Sequence, residues 1–224
     1  LEELGVQTAF DGQMISVLPF AENINKTFTV ESDWSSASYF YSIVALSPIG
    51  TQIDLSAYKP NSLQGDAVLK NIYKELGVES SFNETTLSLK KLAEPQSKLL
   101  TLDLANAPDI AQTIAVTCLG LEIGCNLTGL HTLKIKETDR LVALQNEIKK
   151  LGTSIEITDN SLHLKSPNKL NSSIHIATYN DHRMAMAFAP LGLKTQLFID
   201  DAEVVSKSYP DFWSDLSALG FELN

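Results

Sequence analysis

Residues 178–187 read Thr178-Tyr179-Asn180-Asp181-His182-Arg183-Met184-Ala185-Met186-Ala187, a polar turn that opens a helix with apolar residues on nearly every side. A helix N-terminus exposes unpaired N–H groups and carries partial positive charge, so it favours anions over cations. His182 and Arg183 in the first turn therefore indicate that an anion binds there. A second predicted helix opens with the basic stretch Lys134-Ile135-Lys136-Glu137-Thr138-Asp139-Arg140. The two segments together predict a site for phosphate or carboxylate groups.

Buried helices of the same kind are predicted at three places in the chain. They begin at Asp33, Asp109 and Asp181, and each is followed by a short strand. Aspartate is a preferred N-cap residue, and a helix that is apolar all round is typical of burial.

Amphipathic helices alternate with the buried ones, and each ends in a Leu-Gly pair. These pairs lie at residues 4–5, 76–77, 151–152 and 219–220, and the first three lead into hairpins. Glycine suits the position after a helix because it adopts the left-handed conformation without strain. The apolar faces of the later three helices are predicted to contain Leu69, Ile72 and Leu76; Leu141, Leu144, Ile148 and Leu151; and Phe212, Leu216 and Leu219.

The repeat predicts an α/β (α+β) fold of three units over residues 33–224. Each unit is a strand, a buried helix, a strand, an amphipathic helix and a hairpin. Because the period exceeds that of ordinary solenoids, we expect the units to close around a pseudo-threefold axis with the buried helices parallel. Parallel helices begin at one end of the domain, so Asp33, Asp109 and the His182–Arg183 pair are predicted to converge there.

Composition narrows the class of protein. The 224 residues are 44% hydrophobic and 20% charged, as in a folded domain, and a net charge of −10 argues against nucleic acid as a partner. The sequence contains neither a membrane-length apolar run nor a secretory signal, and Cys118 and Cys125 lack metal-ligand spacing. We therefore expect a cytoplasmic protein without a metal site.

The chain begins at Leu1, in a stretch whose sequence is typical of the end of a helix. We therefore expect this chain to be a fragment of a longer protein.

Six motifs span nearly the whole chain and carry a resemblance to a known family. They are Asp33-Trp34-Ser35-Ser36-Ala37-Ser38-Tyr39-Phe40, Asn61-Ser62-Leu63-Gln64-Gly65-Asp66, Ala107-Pro108-Asp109, Lys136-Glu137-Thr138-Asp139-Arg140, Tyr179-Asn180-Asp181-His182-Arg183-Met184-Ala185-Met186 and Lys207-Ser208-Tyr209-Pro210-Asp211-Phe212. In this order they resemble the 5-enolpyruvylshikimate-3-phosphate synthase family. The resemblance implies two domains, each of three βαβαββ units, that close on substrate. Residues 1–31 then correspond to the last piece of the N-terminal domain, and residues 32–224 to the C-terminal enolpyruvyl transferase domain.

The resemblance also implies an activity in the shikimate pathway, on the route to chorismate and the aromatic amino acids. The 5-hydroxyl of shikimate 3-phosphate attacks C2 of phosphoenolpyruvate while C3 is protonated, and the tetrahedral intermediate then loses phosphate. Neither a metal nor an organic cofactor takes part. The N-terminal half of the family supplies further anion-binding residues, so this chain alone is expected to fold and to be inactive.

Four residues are catalytic candidates on this resemblance. Asp109 is expected to contact the shikimate hydroxyls and to act as general base, although an Asp at a helix start commonly only caps the helix. Lys136 is expected to bind the shikimate substrate and assist proton transfer, and Glu137 to exchange a proton with C3. His182 is expected to position phosphoenolpyruvate or move protons; the alternative is a partly buried histidine satisfied by the backbone.

The remaining candidates bind substrate. Arg140 and Arg183 are expected to grip phosphoenolpyruvate, and Lys207 to close over it. The alternative for the stretch from Lys136 to Arg140 is a surface helix start with local ion pairs, and that for Lys207 is a solvated lysine. Thr132 stands where the family commonly has an asparagine that contacts a shikimate hydroxyl, and threonine is expected to make this hydrogen bond with a shorter reach.

Two other functions remain open from the sequence. One is an enolpyruvyl transferase that acts on UDP-N-acetylglucosamine, which shares the fold. The other is a non-catalytic anion-binding domain, for which Glu137→Gln in the intact protein would leave turnover unchanged.

Overall fold

The computed structural model describes residues 1–19, 27–167 and 169–223, and its internal contacts divide the chain into two units, Leu1–Glu31 and Ser32–Asn224. The first unit contains a 3₁₀ turn, Glu2–Leu4, and an antiparallel hairpin of β1 (Thr8–Asp11) and β2 (Met14–Val17). The assignment of residues 1–31 to a preceding domain stays a prediction, and residues 20–26 of that segment lie outside the described part.

The second unit alternates helices and strands. Its regular elements are α1 (Trp34–Leu46), β3 (Gln52–Leu55), α2 (Leu69–Glu75), β4 (Val78–Asn83), β5 (Thr86–Lys91), β6 (Leu99–Asp103), α3 (Ala111–Gly120), β7 (Gly124–Thr128), α4 (Arg140–Lys150), β8 (Ile155–Ile157), β9 (Leu162–Leu164), β10 (Ile174–Ile176), α5 (His182–Phe188), β11 (Leu197–Ile199) and α6 (Phe212–Ala218). Short 3₁₀ turns lie at Gly65–Val68, Pro108–Ile110, His131–Ile135, Ala189–Leu193 and Ala202–Lys207.

Three buried helices form the centre of this unit. Every residue of α3 is buried, as is every residue of α1 except Ser36. Helix α3 packs against both α1 and α5, and the 3₁₀ turn Ala189–Leu193 that continues α5 packs against α1. The contacts close a triangle of helices, which confirms the predicted α/β fold with its interior helices.

The sheets surround these helices, one for each repeat. In the complete middle repeat the strand order is β6-β7-β9-β8, with β6 and β7 parallel and the other pairs antiparallel. The first repeat has the antiparallel order β3-β5-β4, and the third has the parallel pair β10-β11. Within the described residues, the predicted βαβαββ unit is therefore complete only in the middle repeat.

The amphipathic helices bury the apolar residues that the sequence predicted, with one exception. Leu69, Ile72 and Leu76 are buried, as are Leu141, Leu144, Ile148, Leu151, Phe212 and Leu216. Leu219 is 42% exposed, so its assignment to the buried face was wrong. Helix α6 ends at Ala218, and the helical periodicity that was used to place Leu219 no longer applies after that residue.

Gly77 offers a direct test of the predicted helix-ending glycines. Its φ is +85°, and a Cβ atom at this position would lie 1.9 Å from the Ala93 carbonyl oxygen. We expect Gly77→Ala to lower the free energy of unfolding by more than about 2 kcal/mol, because left-handed strain and a backbone clash add. Gly220 is the matched control: its φ is +95° but its Cβ would meet nothing within 4 Å. Gly220→Ala should lower the free energy of unfolding, measured with urea, by only about 1 kcal/mol. Equal losses in the Gly77 and Gly220 variants would contradict this account.

Candidate active site

The starts of the three buried helices meet at Arg183. Asp33 caps α1 by accepting hydrogen bonds from the Ser35 and Ser36 backbone N–H groups. On α5, the Arg183 Nη2 atom lies 3.4 Å from Ser35 Oγ on α1 and 3.3 Å from Asp109 Oδ2 ahead of α3. One guanidinium thus touches the first turns of the other two helices, in agreement with the predicted parallel arrangement.

Asp109 lies between three cations. Its Oδ1 atom is 3.1 Å from Lys136 Nζ and 3.0 Å from Arg140 Nη1, and its Oδ2 faces Arg183. The possibility that Asp109 caps its helix was wrong, because no side chain caps Pro108–Ile110 or α3. Burial raises the pKa of Asp109, but the charges of Arg183, Lys136 and Arg140 outweigh burial and hold this pKa below its ordinary value.

Arg140 is buried and makes three ion pairs with different nitrogens. Besides Asp109, it donates from Nε to Asp181 Oδ2 at 2.7 Å and from Nη2 to Glu137 Oε2 at 2.6 Å. The Arg140 side chain is only 2% exposed, so the alternative of a surface helix start was wrong, although the Glu137–Arg140 pair does exist. Asp181 binds Arg140 and also accepts a hydrogen bond from the Arg183 backbone N–H at 2.8 Å.

Glu137 and His182 lie side by side next to Arg140. Glu137 Oε1 lies 3.8 Å from His182 Nδ1. Burial raises the pKa of Glu137, but a backbone N–H and the charges of Arg140, His182 and Lys207 lower it overall. His182 Nδ1 is buried and, among the described residues, has no hydrogen-bond partner, so the backbone does not satisfy this nitrogen.

Lys207 and Thr132 are the two remaining substrate-binding candidates. The exposed Lys207 donates from Nζ to the Asn180 carbonyl at 3.0 Å, and its charge influences both Glu137 and His182. Thr132 lies in the 3₁₀ turn His131–Ile135, and its buried hydroxyl has no partner within the described part of the chain.

Lys134, quoted above with the basic stretch, lies outside the cluster. It forms an exposed ion pair with Asp159 at 2.7 Å. The sequence alone does not show that Lys134 and Lys136 have different partners. The difference arises because the 3₁₀ turn that precedes α4 directs the two lysines to different partners.

Sequence reasoning gave no role to Ser35 and Asp66. The Ser35 hydroxyl donates a short hydrogen bond to Asp66 and in turn receives the long contact from Arg183. Burial raises the pKa of Asp66, more than Ser35 and Arg183 lower it. Asp66 ends one of the six motifs, and this position was the signal that could have identified it.

The site is balanced in charge, whereas the sequence suggested a group of unopposed cations. Lys136, Arg140 and Arg183 all have carboxylate partners. An anion that binds here therefore competes with Asp109 and Glu137 for the same N–H groups. This competition couples anion binding to the protonation of the two carboxylates.

His182 is expected to be neutral at pH 7. Burial lowers the pKa of this imidazole below its ordinary value of 6.5, against the opposing charge of Asp181. The folded state therefore binds fewer protons than the unfolded chain as the pH falls through 6.5, and protonation of His182 opposes folding. An NMR titration of the imidazole, assigned with His182→Gln, should give a midpoint below 6.5. A midpoint at or above this value would contradict the described burial.

None of the helices in the described ranges is long and apolar enough to span a bilayer. The same residues contain no group of three or more His, Cys, Asp or Glu side chains arranged to hold a metal ion.

Comparison with known proteins gives the family. A family model described as EPSP synthase (3-phosphoshikimate 1-carboxyvinyltransferase) matches residues 1–216. The chain belongs to the EPSP synthase family. A 3-phosphoshikimate 1-carboxyvinyltransferase of Bacteroides fragilis (strain YCH46) is 45% identical over 197 residues, which are 87% of this chain and 48% of that protein. One from Methanospirillum hungatei JF-1 is 35% identical over 192 residues, 85% of this chain and 44% of that protein.

A solved structure supports the same EPSP synthase fold. The structure of EPSP synthase from Acinetobacter baumannii matches with a TM-score of 0.78 at 22% identity, over 97% of this chain and 52% of that one. The chain thus spans about half the length of the EPSP synthases that it matches.

Proposed function

We propose that the intact protein containing this chain transfers the enolpyruvyl group of phosphoenolpyruvate to the 5-hydroxyl of shikimate 3-phosphate. The observation that carries the proposal is the position of the Asp109 carboxylate, which forms ion pairs with Lys136, Arg140 and Arg183. A second carboxylate, that of Glu137, binds another nitrogen of Arg140. Two carboxylates on a shared set of cations suit a reaction that moves two protons on a phosphorylated substrate. The activity named for the relatives supports the same reaction.

In the addition step, Asp109 accepts the proton of the attacking hydroxyl. Its lowered pKa keeps it ionised at neutral pH, as a base must be. The oxygen attacks C2 of phosphoenolpyruvate while C3 takes a proton. Lys136, 3.1 Å from Asp109, is placed to bind the shikimate substrate and to assist this transfer.

Glu137 is the group we assign to C3. It delivers a proton in the addition and recovers it in the elimination, when the double bond re-forms and phosphate leaves with the proton that Asp109 accepted. The free site holds Glu137 ionised through Arg140. A bound anion that takes over Arg140 weakens this interaction and raises the pKa of Glu137, so substrate itself favours the protonated acid. His182, beside Glu137, is the neutral group that we propose for relaying the proton.

The phosphoenolpyruvate contacts are assigned to Arg140, Arg183 and Lys207. Both guanidiniums contact the carboxylate of Asp109, through which a bound anion can reach them by displacement. Lys207 is an exposed side chain whose charge acts on Glu137 and His182. Within the described residues the Thr132 hydroxyl has no hydrogen-bond partner, which supports its proposed contact with a shikimate hydroxyl.

We propose that the 224 residues alone have negligible turnover. Lys136, Arg140 and Arg183 already have carboxylate partners, so tight binding of a doubly anionic substrate requires further cations from the rest of the enzyme. The family resemblance assigns these cations to the N-terminal domain of the enzyme. We further propose a cytoplasmic enzyme of the shikimate pathway that needs neither metal nor organic cofactor.

Phosphate release from phosphoenolpyruvate tests this function. The intact protein should release phosphate when shikimate 3-phosphate is added, and the 224-residue chain should not. Release with UDP-N-acetylglucosamine instead would favour the related transferase. Unchanged turnover in Glu137→Gln would favour a non-catalytic role for this domain.

A further inference from the structure

Helix α4 carries two charged residues on its buried stripe. Arg140 and Glu147 are seven residues apart, which is two helical turns, so they face the same side as Leu144 and Leu151. Glu147 is fully buried, and Arg140 is 1% exposed. Because burying a carboxylate is unfavourable unless it is paired and hydrogen-bonded, the partners of Glu147 show what it holds.

Two of the partners of Glu147 belong to the segment that precedes α5. Its Oε2 atom accepts from the Ala177 backbone N–H at 3.1 Å, and its Oε1 accepts from the Tyr179 hydroxyl at 2.7 Å. The remaining partner is Lys150, with Nζ at 2.5 Å. At the other end of the segment, Arg140 binds Asp181. Helix α4 therefore holds residues 177–181 at both ends.

The segment between these two anchors has an unfavourable backbone. Tyr179 and Asn180 both have positive φ, 55° and 56°, and neither is glycine. Asparagine tolerates the left-handed region, whereas a residue as bulky as tyrosine adopts it only where its surroundings enforce it. The hydrogen bond from the Tyr179 hydroxyl to the buried Glu147 provides such a constraint.

Several candidate site residues depend on this turn. The Asn180 carbonyl accepts from Lys207, and Asp181 binds Arg140 and caps the helix on which His182 and Arg183 lie. A change in the turn would therefore move groups from three parts of the chain together.

We propose that Glu147 and Tyr179 are positioning residues that hold the 177–181 turn, so that Arg140, Arg183 and Lys207 face one phosphoenolpyruvate site. Neither residue belongs to the catalytic set described above, and the inference rests on the proposed function. It predicts a selective effect on phosphoenolpyruvate, because the groups assigned to this substrate are those attached to the turn.

The kinetic test uses Glu147→Gln and Tyr179→Phe in the intact protein, since both changes keep the side-chain size. We expect kcat/KM for phosphoenolpyruvate to fall by about 10- to 100-fold, as for a small displacement of binding groups. The KM for shikimate 3-phosphate should change less than that for phosphoenolpyruvate. Lys136 and Thr132 are not attached to the turn, and Asp109 is linked to it only through Arg140 and Arg183. Ile148→Val, on the same helix and buried, is the control: it should lower stability by about 0.5–1.5 kcal/mol and leave both KM values unchanged.

A second measurement does not depend on activity. The Arg183 backbone N–H donates to Asp181 Oδ1 at 2.8 Å, so its hydrogen exchange reports on the turn. It should become at least about tenfold faster in Glu147→Gln and Tyr179→Phe but not in Ile148→Val. If the wild-type protein proves inactive, the proposed function fails, and the exchange result still decides the positioning role. Exchange and phosphoenolpyruvate kinetics that match those of Ile148→Val would overturn the inference.

Discussion

Replacing Asp109 by asparagine in the intact protein is expected to lower kcat by about 10²- to 10⁴-fold, the usual contribution of a general base. The affinity for phosphoenolpyruvate should stay the same or increase, by up to about tenfold. The opposite signs of the two effects have one cause. Asp109 is the proposed base, and it is also the carboxylate that pairs with Lys136, Arg140 and Arg183. Steady-state kinetics and calorimetric titration with phosphoenolpyruvate measure the two effects separately.

Asp159→Asn is the matched control for this experiment. It also removes a carboxylate from a lysine, but the pair with Lys134 is on the surface and away from the cluster. Its kinetics and binding should match those of the wild type. An Asp109→Asn enzyme that keeps its kcat within a few-fold, or that loses phosphoenolpyruvate affinity in parallel with kcat, would contradict the dual role.

Replacing Arg140 by methionine is expected to lower the free energy of unfolding by about 3–5 kcal/mol, the usual cost of removing one partner of a buried ion pair. Asp181 is completely buried and would lose its ionic partner, while Asp109 and Glu137 would each lose one of theirs. Since a domain of this size has only about 5–15 kcal/mol of stability, the variant should be close to unfolding at 37 °C. Urea unfolding of the 224-residue chain measures the loss.

Two variants show whether the loss comes from the buried charge. Lys134→Met breaks an exposed pair and should cost about 1 kcal/mol or less. The double variant Arg140→Met/Asp181→Asn removes the stranded charge and keeps a residue that can cap α5, so it should recover part of the stability. Equal costs for Lys134→Met and Arg140→Met, or a double variant less stable than Arg140→Met, would exclude this explanation.

The fold could be predicted because its signals are local and repeated. Helices that are apolar on every side must be buried, and three of them with like spacing indicate a closed arrangement. The positive φ values of Gly77, Gly152 and Gly220 confirm the helix ends read from the Leu-Gly pairs. The error at Leu219 arose at an element boundary, where periodicity carries least information.

The predicted helix arrangement was enough to predict that the candidate site residues lie close together. It did not predict which side chains form ion pairs with each other. Nothing in the spacing of Asp181 and Arg140 indicates that their side chains meet, since they lie on different repeats. In the sequence Asp109 looks like a helix cap. The three cations that bind its carboxylate come from other parts of the chain, so the neighbouring residues do not reveal them. Glu147 could have been found, since a charged residue on a stripe that also holds Leu144 and Leu151 is a local inconsistency.

The most direct test of the central claim is to observe Arg140 and Arg183 while phosphoenolpyruvate binds. In the intact protein, saturated with shikimate 3-phosphate, the Nε–H resonances of both arginines should shift together along one saturable curve. The curve should have the same Kd as calorimetry. Binding heat without a shift of these two resonances, or separate curves for the two arginines, would show that they do not form one anion site.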